Sequence, residues 1–273
     1  MTATSSRAST PKARTTTTTV RKTDIYNDPT FNYAQFWTGR DYEHNAEVIA
    51  VRRLLRGRRF EHAVDIGGGF GRLSIILAEY ADRVTLVDPS TQQLELSQRI
   101  FPGHSFIERK LMDAANLEFA DDSVDLVALV RVLHHLPDPQ PEFRELSRIL
   151  RPGGLALVEV ANSVHAANRV RHLIRGQRIS RLPVDLRSAE SRARGTAPFF
   201  NHHPDTIRYD LGTVGLDVLA VLSVSNLRHR MVKAVVPERA MLAVERAAQQ
   251  RLARFYFGPS AFFLLRKREP ASF

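Results

Sequence analysis

The pattern of hydrophobic and polar positions divides the chain into a polar start and a patterned remainder. Residues 1–23 contain only two larger apolar side chains, Met1 and Val20. Such a segment cannot bury enough surface to offset the entropy of ordering. We therefore predict a disordered basic tail over residues 1–23 and a single folded domain over residues 24–273. An Arg-rich, acid-free start is also typical of targeting peptides, but the apolar helical face of such peptides is missing.

From position 24 onward, the spacing of apolar residues predicts regular elements. Apolar residues between Ala46 and Leu55 recur with the period of a helix, which indicates a helical lead-in. Strand and helix patterns then alternate, with strands expected at 62–66, 84–87, 105–108, 124–130, 155–160, 216–224 and 260–265. This alternation predicts an α/β fold with a doubly wound, mostly parallel sheet of seven strands.

Residues 162–200 interrupt the alternation. This segment contains eight arginines against two acidic residues, Asp185 and Glu190, with aliphatic residues between the arginines. We interpret it as an insertion or lid at the carboxyl edge of the sheet, where doubly wound folds bind ligands. Its composition suits an anionic or amphipathic small molecule, or transient contact with a membrane surface. A solvated charged face is the alternative.

Composition narrows the range of functions. The 273 residues carry a net charge of +10, concentrated in the tail and the insertion, and no recognisable RNA-binding module accompanies it. Nucleic-acid binding is therefore disfavoured. The absence of cysteine excludes disulfides, thiolate metal sites and cysteine nucleophiles, and we predict no metal site. No apolar run reaches the ~18 to 20 residues that would cross a bilayer, and we expect a cytoplasmic protein.

The strongest candidate for chemistry lies where the first strand meets the first helix. The strand runs into Gly67-Gly68-Gly69-Phe70-Gly71, so glycines occupy a sharp turn that can approach a ligand closely. A dinucleotide fingerprint needs a small residue at position 72, which is Arg72, so NAD is disfavoured. Asp88 ends the second strand, where a carboxylate can accept hydrogen bonds from ribose hydroxyls. The pattern favours an adenosyl cofactor without phosphates.

Four motifs in the expected order resemble the class I S-adenosylmethionine-dependent methyltransferases: VDIGGGFGRL, VTLVDPS, LMDAANLEFADDSVDLVALVRVLHHL and FRELSRILRPGGLALVEV. The likeness covers roughly residues 60–160 and is to the small-molecule branch that includes quinone-biosynthesis enzymes. The resemblance implies S-adenosylmethionine as the cofactor. It also implies cofactor contacts for Asp65, Gly67, Gly69 and Gly71 at the methionine end, Asp88 at the ribose, Met112 and Asp113 at the adenine, and Arg131 beside the cofactor.

Methyl transfer from a sulfonium depends mainly on positioning, so a general base is optional. The candidate bases follow the fourth strand or the insertion: His134, His135, His202 and His203. Packing or helix capping is the alternative role for each pair. Candidates for the substrate and the lid are Tyr33, Trp37, Arg40 and Tyr42 before the first strand, where core packing is the alternative, and Arg171, Arg175 and Arg178 in the insertion.

The sequence therefore predicts an enzyme that transfers a methyl group from S-adenosylmethionine to the oxygen or nitrogen of a small organic acceptor. Two alternatives stay open at this point. One is an NAD-type oxidoreductase, and the other is a non-catalytic basic module that binds a cofactor and associates with RNA or a membrane.

Overall fold

The computed structural model describes residues 25–28, 35, 37–104 and 106–270. The predicted tail over residues 1–23 and the candidate Tyr33 lie outside the described residues. In the described part, the strands are β1 Phe60–Ile66, β2 Ala81–Asp88, β3 Ile107–Leu111, β4 Val124–Leu129, β5 Leu150–Ala161, β6 Val184–Asp185, β7 Phe200–Asn201, β8 Leu216–Val224 and β9 Ser260–Lys267.

Helices precede, connect and follow these strands. They are α1 Asp41–Leu54, α2 Ser74–Leu77, α3 Thr91–Ile100, α4 Gln140–Ile149, α5 Ala166–Ile174, α6 Ala189–Ala193, α7 Pro204–Thr213, α8 Arg230–Val235 and α9 Glu238–Ala253. Two short 3-10 turns cover Ile25–Asn27 and Leu133–His135. Among the described residues, no helix combines the length and the apolarity needed to cross a bilayer.

Seven of the strands form one sheet in the order β3-β2-β1-β4-β5-β9-β8. The first five strands in the chain pair in parallel, and β9 runs antiparallel between β5 and β8. This arrangement confirms the predicted fold class. The strand order reverses between β1 and β4, so a crevice is expected at their carboxyl ends, where doubly wound sheets bind ligands.

Alternating strand residues supply a separate hydrophobic core on each face of the sheet. Ala63 and Phe262 pack with apolar residues of α1 and α2, whereas Val64 and Phe263 pack with Phe143 of α4 and with α7. The period of two follows from the strand geometry, which sends successive side chains to opposite faces. Asp65 has the same parity as Ala63, so it points to the face covered by α1.

The structure shortens one predicted element and orders the insertion. The helix that the alternating pattern implies between the first two strands is only the four-residue α2, because turns occupy residues 69–73 and 78–80 and β2 begins at Ala81. The insertion holds α5, α6 and the two-residue strands β6 and β7, which pair antiparallel. A hydrogen bond from the amide of Ser163 to the carbonyl of His202 joins the two ends of the insertion. The insertion therefore leaves and rejoins the domain at one place.

Candidate functional site

The turn after β1 is built on glycines that adopt left-handed backbone angles. The φ angles are +65° at Gly67, +58° at Gly69 and +88° at Gly71. A Cβ atom on Gly67 would lie 2.4 Å from the Cγ2 atom of Val132, which follows β4. Glycine is therefore required at Gly67 both for its backbone conformation and for the close approach of the β4 loop. The predicted sharp turn is present, at the carboxyl edge of the sheet.

Asp65 lies beneath this turn and is 1% exposed. Its Oδ2 atom accepts a hydrogen bond of 2.7 Å from the Ser74 hydroxyl at the start of α2. Burial raises the pKa of Asp65 to about 6. A cavity of about 20 Å³ adjoins the carboxylate, and its lining consists of Asp65, Gly67, Gly68, Phe70, Arg72, Leu73, Val130 and Arg131. The cavity brings together three of the predicted cofactor residues: Asp65, Gly67 and Arg131.

Two arginines of this cavity converge on Glu47 of α1. The Nη2 atom of Arg72 lies 2.6 Å from the Oε2 atom of Glu47, and the Nη1 atom of Arg131 lies 3.8 Å from its Oε1 atom. The guanidinium of Arg72 also stacks over Trp37, 3.8 Å from the ring centroid. Trp37, a predicted lid residue, thus covers Arg72 of the glycine turn from the side of the lead-in.

A third buried carboxylate, Glu159 of β5, completes the charged group. The backbone amide of Arg131 donates to its Oε2 atom at 3.2 Å, and the hydroxyl of Ser260 donates to its Oε1 atom at 2.6 Å. Burial raises the pKa of Glu159. The sequence reasoning missed Glu47 and Glu159. The signal that could have found them is a carboxylate with apolar residues on both sides, as in AEVIAV around Glu47 and LVEVA around Glu159, because buried acids need partners.

Asp88 stands at the end of β2, beside the glycine turn. Its Oδ2 atom accepts a 2.8 Å hydrogen bond from the backbone amide of Gly69, and its Oδ1 atom accepts one of 2.9 Å from Ser90. The carboxylate therefore joins the turn to the start of α3. Asp88 ends β2, as the sequence predicted, and its carboxylate stabilises the neighbouring glycine turn.

The two residues predicted for the adenine differ in burial. Met112 follows β3, is 9% exposed, and its amide donates to the carbonyl of Asp88. Asp113 is exposed, and its Oδ1 atom accepts a hydrogen bond of 2.9 Å from the amide of Ala115. Met112 thus adjoins Asp88 directly, whereas Asp113 stabilises the local turn that follows.

The histidines after β4 pack against the segment through which the insertion returns. The rings of His134 and His135 lie 4.0 Å apart, and that of His134 lies 4.8 Å from Phe199. The Nδ1 atom of His135 is 3.0 Å from the carbonyl oxygen of Pro198, and its Nε2 atom is 2.8 Å from the hydroxyl of Tyr26. Since a carbonyl only accepts, Nδ1 of His135 carries the proton and Tyr26 donates to Nε2. Burial lowers the pKa of both histidines, so both are neutral at pH 7.

The other two predicted histidines hold the insertion in place. The Nε2 atom of His202 donates to the carbonyl of Leu133 at 3.0 Å, which fastens the return strand to the loop after β4. His203 precedes α7, and its Nδ1 atom accepts a hydrogen bond of 3.2 Å from the amide of Asp205. His203 therefore has the capping role that was its alternative, and His202 sits within the same histidine group as a structural link.

The remaining predicted substrate residues are spread over three places. The amide of Arg40 donates to the Trp37 carbonyl, which closes the turn before α1. The hydroxyl of Tyr42 donates to Glu245 of α9 at 2.7 Å and accepts from the amide of Leu227, so Tyr42 contacts the C-terminal helix and not the glycine turn. In the insertion, three predicted side chains are exposed: Arg171, Arg175 and Arg178.

The sheet order, the left-handed glycine turn and the acidic strand ends are those of the Rossmann-like fold that methyltransferases adopt. Residues 64–158 match the family model described as a methyltransferase domain, and the chain carries that domain. The predicted family and its cofactor, S-adenosylmethionine, are confirmed.

Relatives agree with this family, and a solved structure agrees with the fold. Over 102 residues the chain is 31% identical to the ubiquinone/menaquinone biosynthesis C-methyltransferase UbiE of Rubrivivax gelatinosus, covering 37% of this chain and 40% of that protein. It is 27% identical to the O-methyltransferase resE of Aspergillus sclerotiorum, covering 50% and 56%. A crystal structure of an S-adenosylmethionine-dependent methyltransferase from Mesorhizobium loti superposes with a TM-score of 0.57 at 21% identity, over 81% of this chain and 98% of that one. The chain spans about half the length of the curated relatives it matches.

Proposed function

We propose that this protein transfers the methyl group of S-adenosylmethionine to a small organic acceptor. The observation that carries the proposal is the glycine turn with Asp65 beneath it and Asp88 beside it, within the segment that matches the methyltransferase family. The cofactor, when bound, supplies an activated methyl group on a positively charged sulfur. The protein then has to hold the cofactor, orient the acceptor and exclude water.

The residues around the turn fit the charges of the cofactor. Its amino-acid end carries an ammonium and a carboxylate, and the turn is flanked by the buried carboxylates of Asp65 and Glu47 and by the guanidinium of Arg72. Asp88 suits the ribose hydroxyls because a carboxylate accepts strong hydrogen bonds from them. Arg72 and Glu47 are paired with each other in the structure. When the cofactor binds, each would give up part of this contact and bind the amino-acid end of the cofactor instead.

The acceptor side of the site is formed by His134, His135, Phe199 and Tyr26. These side chains present aromatic surface and neutral imidazoles close to the loop after β4. A neutral imidazole can accept the proton that an oxygen or nitrogen acceptor releases on methylation. At His135 the acceptor would have to take the place of the Tyr26 hydroxyl at Nε2. The sequence predicted such an acceptor, whereas the matched relatives include a C-methyltransferase and an O-methyltransferase. We therefore infer an aromatic acceptor of the phenol or hydroquinone class, which offers both oxygen and ring carbon.

The first experiment separates the candidate cofactors by thermal stability. A ligand that binds only the folded state raises the melting temperature in proportion to the logarithm of its concentration above its Kd. We expect S-adenosylmethionine and S-adenosylhomocysteine to raise it and NADH to leave it unchanged. A larger shift with NADH would favour the oxidoreductase alternative and overturn the proposal.

The second experiment follows the methyl group itself. Labelled S-adenosylmethionine is incubated with phenol, hydroquinone and amine panels, and the products are located by mass spectrometry. Transfer to an oxygen, nitrogen or carbon of one class would establish the activity and its acceptor atom. Tight cofactor binding with no transfer to any panel or to a cell extract would instead favour a non-catalytic binding module.

A further inference from the structure

We infer that α5 and the turn after it form a docking surface for an anionic lipid membrane. The helix packs in an unusual orientation, with its polar side toward the protein. Asn168 and His172 are half-buried, and the side-chain amide of Asn168 donates to the carbonyl of Ser163 at 2.6 Å. No residue of α5 is fully buried. The apolar side of the helix therefore has no partner within the described chain.

The exposed side of α5 is continuous and apolar. At about 100° per residue, Val170, Leu173 and Ile174 fall within one arc of the helix. Their exposed fractions are 56%, 80% and 80%, and Leu182 in the following turn is 74% exposed. Singly exposed apolar residues are ordinary, but a contiguous group on one helix face marks an interaction site.

Arginines flank this apolar arc. The segment from Asn162 to Val184 contains five arginines and no Asp or Glu; the arginines are Arg169, Arg171, Arg175, Arg178 and Arg181. In the described part of the insertion, the Arg–carboxylate ion pairs are Arg187–Asp185 and Arg194–Glu190, and these five arginines are in neither. The surface thus combines exposed aliphatic side chains with an excess of positive charge.

An anionic bilayer matches both properties at once. Aliphatic side chains of an interfacial helix enter the boundary between headgroups and acyl chains, and the arginines that flank them contact the anionic headgroups. A second copy of this chain fits poorly, because a twofold contact would bring the arginines of both copies together. Nucleic acid would satisfy the arginines but would leave Leu173 and Ile174 in water.

The docking surface belongs to the same insertion as residues on the acceptor side of the proposed active site. This step rests on the proposed function. The insertion that carries α5 returns through Pro198 and Phe199, which contact His135 and His134. Docking would hold the acceptor side of the site close to the bilayer. An amphipathic acceptor dissolved in the membrane could then reach the histidine group without crossing bulk water.

The test is co-sedimentation of the full chain with vesicles, without cofactor or acceptor. We expect binding to phosphatidylcholine vesicles that contain phosphatidylglycerol and little binding to phosphatidylcholine alone. The triple variant Arg171→Gln/Arg175→Gln/Arg178→Gln should weaken binding by about tenfold or more. The double variant Leu173→Ser/Ile174→Ser should weaken it by about tenfold as well, because the apolar contacts are lost.

Matched controls remove the same groups from α9. Arg239→Gln/Arg246→Gln/Arg251→Gln removes equal charge from exposed positions, and Val244→Ser removes an aliphatic side chain that is 52% exposed. Both should bind vesicles as the unaltered protein does. If the α9 triple variant weakens vesicle binding by the same factor, the loss of net charge alone explains the effect, and the inference is overturned. Unchanged binding by the Leu173/Ile174 variant, together with equal binding of RNA, would assign the surface to nucleic acid instead.

A third outcome is self-association, which sedimentation velocity detects. A dimer that the Leu173/Ile174 variant converts to a monomer would show that a second copy covers the helix and would also overturn the inference. Thermal stabilisation by S-adenosylmethionine is measured on the same samples. Failure of vesicle binding with intact cofactor binding therefore rejects the docking surface alone, and the reverse result rejects the proposed function alone.

Discussion

The guanidinium of Arg72 and the carboxylate of Glu47 lie 2.6 Å apart and join the helix α1 to the glycine turn. The side chain of Glu47 is 1% exposed and that of Arg72 is 12% exposed, so the pair is shielded from solvent. Arg72 follows directly after Gly71, whereas Glu47 lies in the lead-in helix. The contact thus holds the lead-in against the turn where the cofactor is proposed to bind.

Replacing Glu47 by Gln should destabilise the fold. The change removes a buried negative charge that faces two guanidinium groups, although the amide oxygen can still accept a hydrogen bond. We expect the free energy of unfolding to fall by about 2 to 4 kcal/mol, measured by urea denaturation. The control is Glu79→Gln, which breaks the exposed pair with Arg52, where the side chains are 40% and 52% exposed. This control should change stability by about 0 to 1 kcal/mol. Equal losses of unfolding free energy in the two variants would show that the Arg72–Glu47 contact contributes no more to stability than an exposed ion pair does.

The variant Asp65→Asn should be more stable than the unaltered protein at neutral pH and should bind the cofactor less tightly. The folded pKa of Asp65 is about 6, raised from 3.8 chiefly by burial. The ionised carboxylate therefore weakens the folded state as the pH rises from about 4 to about 6, and Asn carries no such penalty. We expect the Asn variant to gain about 3 kcal/mol of unfolding free energy above pH 6 and to lose this gain below pH 4. Thermal melts of both proteins across that pH range measure the difference. A difference that does not vary with pH would contradict the burial of an ionised carboxylate at this position.

Asp88→Ala should weaken binding of S-adenosylmethionine by about 1.5 to 3 kcal/mol, through loss of charge-assisted hydrogen bonds. Calorimetry measures this directly. Because Asp88 also accepts from the amide of Gly69, the variant Asp88→Asn separates the two roles, since its amide oxygen can keep that bond. Asp82→Ala is the control, since Asp82 is an exposed residue of the same strand. Unchanged affinity in folded Asp88 variants would leave this residue only its structural role.

His134→Ala and His135→Ala report on a general base. If either imidazole accepts the acceptor's proton, kcat should fall by roughly 10²- to 10⁴-fold while cofactor affinity stays nearly constant. His104→Ala serves as control, because His104 precedes β3 at the amino edge of the sheet. Near-normal turnover in both variants would instead indicate that positioning alone accounts for the rate.

The sequence predicts the parts of this fold that depend on local pattern. The alternation of strands and helices and the glycines of the turn follow from periodicity and backbone freedom, and both are seen in the structure. The contacts of Glu47, Glu159 and Tyr26 could not be predicted, because each depends on how distant elements meet. Tyr42 shows the same limit, since its helix position did not reveal that Glu245 of α9 would accept from its hydroxyl.

The orientation of α5 changes the expected role of the insertion arginines. The sequence left open direct contact with an anionic or amphipathic acceptor, contact with a membrane surface, or a solvated face. The structure places Arg171, Arg175 and Arg178 on the exposed surface. Their combined replacement by Gln should therefore act on the acceptor only when it is presented in an anionic bilayer. For an acceptor in phosphatidylglycerol-containing vesicles, we expect the apparent KM to rise about tenfold and the effect to weaken with salt.

For a water-soluble analogue of the same acceptor, the KM of this triple variant should match that of the unaltered protein, as should its affinity for S-adenosylmethionine. The comparison distinguishes two roles of the arginines, which are holding the enzyme at the bilayer that contains the acceptor and binding the acceptor itself. Only the first role depends on the bilayer. An equal rise in KM for the soluble analogue would mean that the arginines bind the acceptor itself. No change in either assay, and no change in salt dependence, would leave these arginines as a solvated face.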